Sequence, residues 1–317
     1  MKVCLSVLFL VLLLSSGAIA ADLPAAPDFT VKKVGDGVYA AITRDGGKSG
    51  SNAGFVVGDD GVAVIDTFVD VAPAQQLLAE IRKVTNLPIR FVVNTHYHLD
   101  HTGGNKVFAD AGAVIMAHRN LRGWLRTENL KFFGQNIKPE QKARVDALVL
   151  PQLTYDDGVD LHLGSRLLTV RFMKGHTGGD SVVFVPDANV VFAGDLMWKT
   201  HLPNLIDAST EAWMQTLEKL QSDHRNSTFI PGHGDVATST DVHDFHNYIA
   251  TLRQDVAQAQ QAGKPDAELV NTVLTELKAK YGTWGFFDHF APLNIQQTAA
   301  ELKGQKRIPV PAEAKGN

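Results

Sequence analysis

The pattern of apolar and polar residues predicts two β-hairpins near the start of the chain. Residues 29–42 alternate in polarity around a Gly-Asp-Gly turn at 35–37, which is typical of two antiparallel strands joined by a tight turn. Residues 55–57 and 62–65 are apolar runs separated by a Gly-Asp-Asp-Gly turn, and the second run ends at Asp66. We therefore expect four short strands before the first helix.

A helix and a buried strand are predicted next. Residues 73–84 place Leu77, Leu78 and Ile81 on one face at helical spacing, and the proline near the start of this segment is tolerated there. Residues 89–93 are a short apolar run with β-branched side chains, which indicates a strand. This strand leads directly into the polar stretch that carries the candidate chemistry.

The second half of the chain repeats this order of elements. Residues 181–193 predict a hairpin that ends at Asp195, and residues 210–220 predict a helix with its first residue as the N-cap. A strand at 228–230 then leads to His233. Hairpin, aspartate, helix, strand and histidine thus occur twice. The repeat favours an α/β (or α+β) fold of two half-domains, with sheets packed together and helices outside.

Other segments surround this predicted core. Residues 43–51 are polar and glycine-rich, and we interpret them as a flexible lid. Residues 127–150 are charged and favour a helical excursion near the mouth of the site. Helices are predicted at 242–261 and 266–281, and we interpret residues from about 240 to 305 as outer helices of one domain that spans 21–317. A separate recognition domain is the alternative, given the length of the chain.

The first twenty residues resemble a secretory signal peptide. A lysine at position 2 precedes an apolar run over 3–14, and an Ala-x-Ala end predicts cleavage after Ala20. The run is too short for a comfortable membrane span, although an uncleaved anchor is the alternative. We expect a periplasmic or secreted protein with no membrane span after cleavage.

Composition and charge narrow the classes of function. The formal net charge is −4, and no basic stretch offers a surface for nucleic acid. The single cysteine, Cys4, lies within the predicted signal peptide, so the mature chain would have neither a disulfide nor a catalytic thiol. These features point to an ordinary globular protein acting on a small molecule; they do not indicate an oligomeric state.

Candidate metal ligands are concentrated immediately after the strand at 89–93. His96 and His98 are two residues apart, so in an extended backbone both imidazoles face the same way. Asp100 and His101 follow as the chain turns away, and this second pair could serve a neighbouring ion. Nitrogen and carboxylate ligands without thiolate suit zinc, with iron or manganese as alternatives.

Three further candidates occur in glycine-rich turns, each after a strand-like run. They are His176, Asp195 and His233. Glycine beside a ligand permits the close backbone approach that a small ion requires. The whole ordered set resembles the metallo-β-lactamase-fold hydrolase superfamily over residues 51–236: His-x-His-x-Asp-His, then Gly-His-Thr, Gly-Asp and Pro-Gly-His-Gly. That resemblance implies a four-layer αββα sandwich.

The resemblance also implies two metal ions and a mechanism. His96, His98 and His176 would bind one ion, and Asp100, His101 and His233 the other. Asp195 would bridge the two ions, and zinc is the metal that we expect at both positions. A metal-bridged hydroxide would attack an ester, thioester, lactone or lactam carbonyl, because coordination lowers the pKa of bound water towards ~7. Asp100 would have the catalytic role of orienting this hydroxide.

Asp195 distinguishes among members of the superfamily. The zinc β-lactamases place a cysteine or serine there, whereas glyoxalase II, lactone hydrolases and many exported hydrolases resemble this chain in having aspartate. β-Lactam hydrolysis and a mononuclear iron persulfide dioxygenase on the same fold are the alternative activities. A non-catalytic metal-dependent partner protein is a third hypothesis.

Several residues near these motifs have two interpretations. Asp66 is either a hydrogen-bond partner of a ligand histidine or a plain turn carboxylate. We interpret His201 as a surface or packing residue that could instead line the mouth. A cluster of aromatic residues near the C-terminus is expected to pack in the core. Alternatively, it forms an apolar wall of the substrate pocket. This cluster consists of Trp284, Phe286, Phe287 and Phe290.

Overall fold

The computed structural model describes residues 26–310, so the predicted signal peptide lies outside the described residues. Seven strands form a first sheet in sequence order, antiparallel from β1 to β4 and parallel from β4 to β7. These strands are β1 (Phe29–Gly35), β2 (Val38–Thr43), β3 (Ala53–Val57), β4 (Val62–Ile65), β5 (Ile89–Val93), β6 (Val114–His118) and β7 (Leu153–Tyr155).

Five strands form the second sheet in the order β12-β11-β10-β9-β8. They are β8 (Gly158–Leu163), β9 (Arg166–Phe172), β10 (Ser181–Val185), β11 (Val190–Trp198) and β12 (Thr228–His233). The β11–β12 pair is parallel and the remaining pairs are antiparallel.

Nine α-helices connect or cover the sheets within residues 26–310. They are α1 (Val71–Val84), α2 (Leu99–Thr102), α3 (Asn105–Asp110), α4 (Arg119–Trp124), α5 (Pro139–Asp146), α6 (Thr210–Asp223), α7 (Ser239–Gln261), α8 (Asp266–Tyr281) and α9 (Phe287–Leu302). A 3₁₀ helix at Glu128–Phe133 and α5 form the predicted excursion. None of these helices is long and apolar enough to cross a membrane.

The buried apolar side chains define four layers. Val56 and Val93 of the first sheet share one core cluster with Val183 and Phe192 of the second, so the two sheets pack face to face. Leu77 of α1 packs on the outer face of the first sheet. Helices α6 to α9 cover the outer face of the second. The predicted αββα sandwich is therefore confirmed.

The predicted internal repeat is also present. In each half a hairpin strand pairs in parallel with the strand that follows the next helix, as β4 with β5 and β11 with β12. Two details differ from the prediction. Strand β11 continues past Asp195, and Ser209 rather than Thr210 is the N-cap of α6, with its Oγ accepting from the Ala212 N–H. Thr210 instead donates to Glu301 Oε2 at 2.9 Å.

Candidate metal centre

All seven predicted ligands lie together at one edge of the sandwich, and His176 lies there in the loop between β9 and β10. His96, His98, Asp100 and His101 follow β5, and the last two lie in the first turn of α2. Asp195 lies within β11, and His233 ends β12. A Cβ atom on Gly232 would lie 1.8 Å from Asp195 Oδ1, so the position before His233 in β12 requires glycine.

The first group of ligand atoms surrounds one point. His96, His98, His176 and Asp195 each place one nitrogen or oxygen within 4.8 Å of the others. His98 Nδ1 lies 3.0 Å from His176 Nε2, and Asp195 Oδ2 lies 3.2 Å from His176 Nε2 and 3.6 Å from His96 Nε2. Bonds of about 2.0 Å in a tetrahedral site separate neighbouring ligand atoms by about 3.3 Å, so these spacings fit a single ion.

The second group lies beside the first. Asp100 Oδ2 lies 3.3 Å from His233 Nε2 and 3.5 Å from His101 Nε2. Asp195 also reaches this group, because its Oδ1 lies 3.1 Å from His101 Nε2 and 3.5 Å from His233 Nε2. The two oxygens of the Asp195 carboxylate therefore face different groups of histidines.

Burial supports a cation at this position. The Nε2 atoms of His96 and His101 and Oδ1 of Asp195 are buried, and none makes a hydrogen bond of good geometry within residues 26–310. Leaving such polar atoms unpaired in a protein interior costs free energy, which a bound cation would recover. The donors are nitrogens and carboxylate oxygens, which are the ligands that zinc accepts.

The charges of the two groups differ. Burial opposes a positive charge on His101 and His233, but the nearby carboxylates of Asp195 and Asp100 outweigh it. They hold the pKa of His101 well above its usual value and raise that of His233 to about 9. In the first group, burial lowers the pKa of His96 and His98, so these two imidazoles are neutral.

Asp66 is a hydrogen-bond partner of a ligand candidate, which settles its two interpretations. Its Oδ2 lies 2.8 Å from His101 Nδ1, and its carboxylate also accepts from the N–H and hydroxyl of Thr95 at 2.8 and 2.7 Å. This bond fixes the ring so that Nε2 faces Asp195 and Asp100.

Replacing Asp66 with alanine is expected to weaken metal binding by about 10- to 100-fold, because the His101 ring would lose its orienting carboxylate. Competition with a chromophoric chelator measures this affinity. Asp110→Ala removes an exposed aspartate whose partner is Lys106, and serves as the control. Unchanged metal affinity in Asp66→Ala would show that packing alone orients His101.

Asp207 is a functional candidate that the sequence interpretation missed. It lies 3.8 Å from His98 Nε2, the nitrogen opposite the one that faces His176. It also accepts hydrogen bonds from Tyr97 and from Lys131 Nζ, the latter at 2.6 Å. Asp207 follows no strand and adjoins no glycine turn, so the sequence carried no signal for it.

A cavity of about 390 Å³ opens onto both groups of ligand atoms. Its lining includes His98, Asp100, Asp195 and His233. The C-terminal aromatic cluster divides: Phe286 and Phe290 line the cavity, whereas Trp284 and Phe287 pack in the core beneath it. A larger groove between β9 and α6 contains none of the seven predicted ligands.

The chain is similar in sequence to proteins named as a metallo-beta-lactamase and as a probable metallo-hydrolase. The chain is 28% identical to metallo-beta-lactamase IND-1 of Chryseobacterium indologenes over 202 residues, covering 62% of this chain and 77% of that one. It is also 28% identical over 204 residues to the Bacillus subtilis protein named "Probable metallo-hydrolase YqgX", covering 62% of this chain and 92% of that one.

A solved structure shares the fold. The metallo-beta-lactamase from Pontibacter korlensis superposes with a TM-score of 0.55 at 22% identity, covering 70% of this chain and 99% of that one. The family model of the metallo-beta-lactamase superfamily matches residues 46–233, which include all seven predicted ligands. This chain belongs to the metallo-beta-lactamase superfamily and is a metal-dependent hydrolase.

Proposed function

We propose that this protein is an exported hydrolase that uses two zinc ions to cleave an ester, thioester, lactone or lactam. One observation carries the proposal for two ions: Oδ2 of Asp195 faces His96 and His176, while Oδ1 faces His101 and His233. A carboxylate in this position can give one oxygen to each of two ions. Export rests on the signal-peptide pattern of the first twenty residues.

The ligand sets follow from the two groups. His96, His98 and His176 would hold one ion, Asp100, His101 and His233 the other, and Asp195 both. When bound, such ions supply a hydroxide nucleophile at neutral pH and polarise the substrate carbonyl.

The chain's own residues complete the site. Asp100 lines the cavity and its Oδ2 faces His233, so its other oxygen is available to accept a hydrogen bond from the attacking water. This carboxylate stays ionised, since His101 and His233 outweigh burial and lower its pKa to about 2. Trp198 stacks on the His233 ring at 3.9 Å between centroids and fixes that ring at the cavity floor.

The alternatives are a β-lactamase, a mononuclear iron dioxygenase acting on persulfides, and a non-catalytic partner protein. The β-lactamase alternative is supported by the name of the Chryseobacterium relative. The dioxygenase alternative requires a single ion, and the second group of ligands has no role in it. A merely structural metal site would be closed, whereas these groups open onto a cavity.

Elemental analysis of the purified protein with a substrate panel tests the proposal. We expect two zinc ions per chain, and hydrolysis of at least one of a chromogenic cephalosporin, a lactone and a thioester. Hydrolysis should stop on chelation and return when zinc is restored. A single iron with oxygen uptake on a persulfide would favour the dioxygenase over the dinuclear zinc proposal, and an inert panel would count against these three substrates.

A further inference from the structure

Two exposed phenylalanines lie on opposite sides of the candidate metal centre. Phe132 is 41% exposed, and its ring centroid lies 4.9 Å from that of His98 in the first group. Phe286 is 47% exposed, and its ring centroid lies 6.2 Å from that of His233 in the second group. Each ring therefore presents apolar surface to solvent beside the candidate ligands. Both line the cavity over the ligand atoms.

The backbone conformation of Phe286 is unfavourable for a residue with a side chain, which supports a functional role for this residue. Its φ is +62°, in the left-handed region, which costs a residue with a Cβ free energy that the surroundings must offset. The preceding residue is held by two hydrogen bonds, from Gly285 N–H to Thr200 O at 2.8 Å and from Leu202 N–H to Gly285 O at 2.9 Å. The fold therefore holds this ring at the cavity mouth, although burial in the core would remove more apolar surface from water.

The cavity has no lysine or arginine in its lining within residues 26–310; its lining histidines are His98, His233 and His289. Lys131, which lies next to Phe132, is turned towards Asp207 and pairs with its carboxylate at 2.6 Å. An adjoining polar cavity, which shares Phe286, contains Lys32 and Arg44. Lys32 pairs with Asp235 at 2.5 Å. Arg44 is therefore the residue in this adjoining cavity that a charged substrate would be expected to contact, and the experiment below includes it.

We infer that the substrate is an uncharged ester or lactone with an apolar group on each side of the bond that is cleaved; this inference rests on the proposed hydrolase function. Phe132 would contact the group on the side of the first ligand group, and Phe286 the group on the other side. The reaction adds water across the acyl C–O bond. The water oxygen bonds to the carbonyl carbon, the C–O bond breaks, and a proton from that water passes to the departing oxygen.

The inference separates this chain from enzymes for charged substrates. A substrate with a carboxylate beside its scissile bond, as in β-lactam antibiotics, would place that charge against the phenylalanine rings, where no lysine or arginine lies in the described lining. Away from the metal ions, desolvating a carboxylate against these rings without a partner is costly. A glutathione thioester would meet the same obstacle, because its peptide is charged.

A matched pair of chromogenic esters tests the inference on the zinc-loaded protein. 4-Nitrophenyl pentanoate and mono(4-nitrophenyl) glutarate differ only by a carboxylate in place of the terminal methyl group. We expect kcat/KM to be at least about 10-fold higher for the pentanoate. Across the acetate, pentanoate and octanoate esters, kcat/KM should rise by up to about fourfold per buried methylene.

Variants assign the effect to the two rings. Phe132→Ala and Phe286→Ala are each expected to flatten the rise with chain length, mainly through KM. Leu293→Ala is the matched control, because Leu293 is also 47% exposed, lies in α9 close to Phe286, and is absent from the cavity lining. Equal rates along the series, or a preference for the glutarate that disappears in Arg44→Ala, would overturn the inference.

A binding measurement keeps the inference separate from the proposed function. N-phenyl-1-naphthylamine is neutral, and 1-anilinonaphthalene-8-sulfonate has the same rings with an added sulfonate. We expect the neutral fluorophore to bind more tightly, and its affinity to fall in both phenylalanine variants but not in Leu293→Ala. If no ester is hydrolysed but this pattern holds, the proposed ester hydrolysis fails and the apolar, uncharged ligand class stands. Tighter binding of the sulfonate would overturn that class.

Discussion

Replacing Asp195 with alanine is expected to lower kcat/KM by about 10³-fold or more and to reduce bound metal from two ions to one or none. The carboxylate lies between the two groups of histidines, with its oxygens 3.2 Å from His176 Nε2 and 3.1 Å from His101 Nε2. Its removal takes a ligand from both groups at once. Several kcal/mol of charge stabilisation depend on paired ions, and each 1.4 kcal/mol corresponds to a factor of ten in rate.

The control for this variant is another buried aspartate. Asp255 in α7 is 9% exposed and belongs to neither ligand group, so Asp255→Ala tests the effect of losing a buried carboxylate on folding alone. Circular dichroism and elemental analysis should accompany the kinetics. If Asp195→Ala keeps two ions and full activity, the carboxylate does not bridge them and the dinuclear proposal fails.

The candidate site was predictable because its signals are local in sequence. His96, His98, Asp100 and His101 lie within six residues, in the loop that follows β5 and in the short helix α2, so a short stretch of chain supplies four of the seven candidates. The remaining ligands adjoin glycines that their backbone geometry requires, as Gly232 beside Asp195 illustrates. The same local reasoning located β5 and α8 at their observed bounds.

Features that depend on distant packing were not predictable in this way. Asp207 gains its role because Tyr97 and Lys131, more than seventy residues away in sequence, meet it in the folded chain. Helix α9 was expected only within a broad range of outer helices, since its apolar residues follow no simple period. The exposure of Phe286, in contrast to the burial of Phe287 beside it, is set by tertiary contacts of the turn before α9.

The two ligand groups differ in protonation, and this difference predicts how metal binding depends on pH. In the metal-free protein, nearby carboxylates raise the pKa of His233 to about 9 and that of His101 well above its usual value. Both imidazoles therefore carry a proton at pH 7, and an ion that binds their Nε2 atoms must displace it. His96 and His98 are already neutral because burial lowers their pKa.

Lowering the pH from 8 to 6 is therefore expected to empty the second group before the first. Each displaced proton changes the apparent affinity about tenfold per pH unit below the pKa of its histidine, so two protons over two units give a loss of up to about 10⁴-fold. Dialysis at fixed free zinc, followed by elemental analysis, should show a fall from two ions per chain towards one.

Two variants identify which ion is lost. His233→Ala damages the second group, so the ion that this variant still binds in the first group should persist at pH 6. His96→Ala damages the first group, so the ion that this variant still binds in the second group should be released between pH 8 and pH 6. Equal retention in both variants would mean that the carboxylates do not hold protons on His101 and His233. The second ion would then have no proton to displace, and the two halves of the site would not differ in charge.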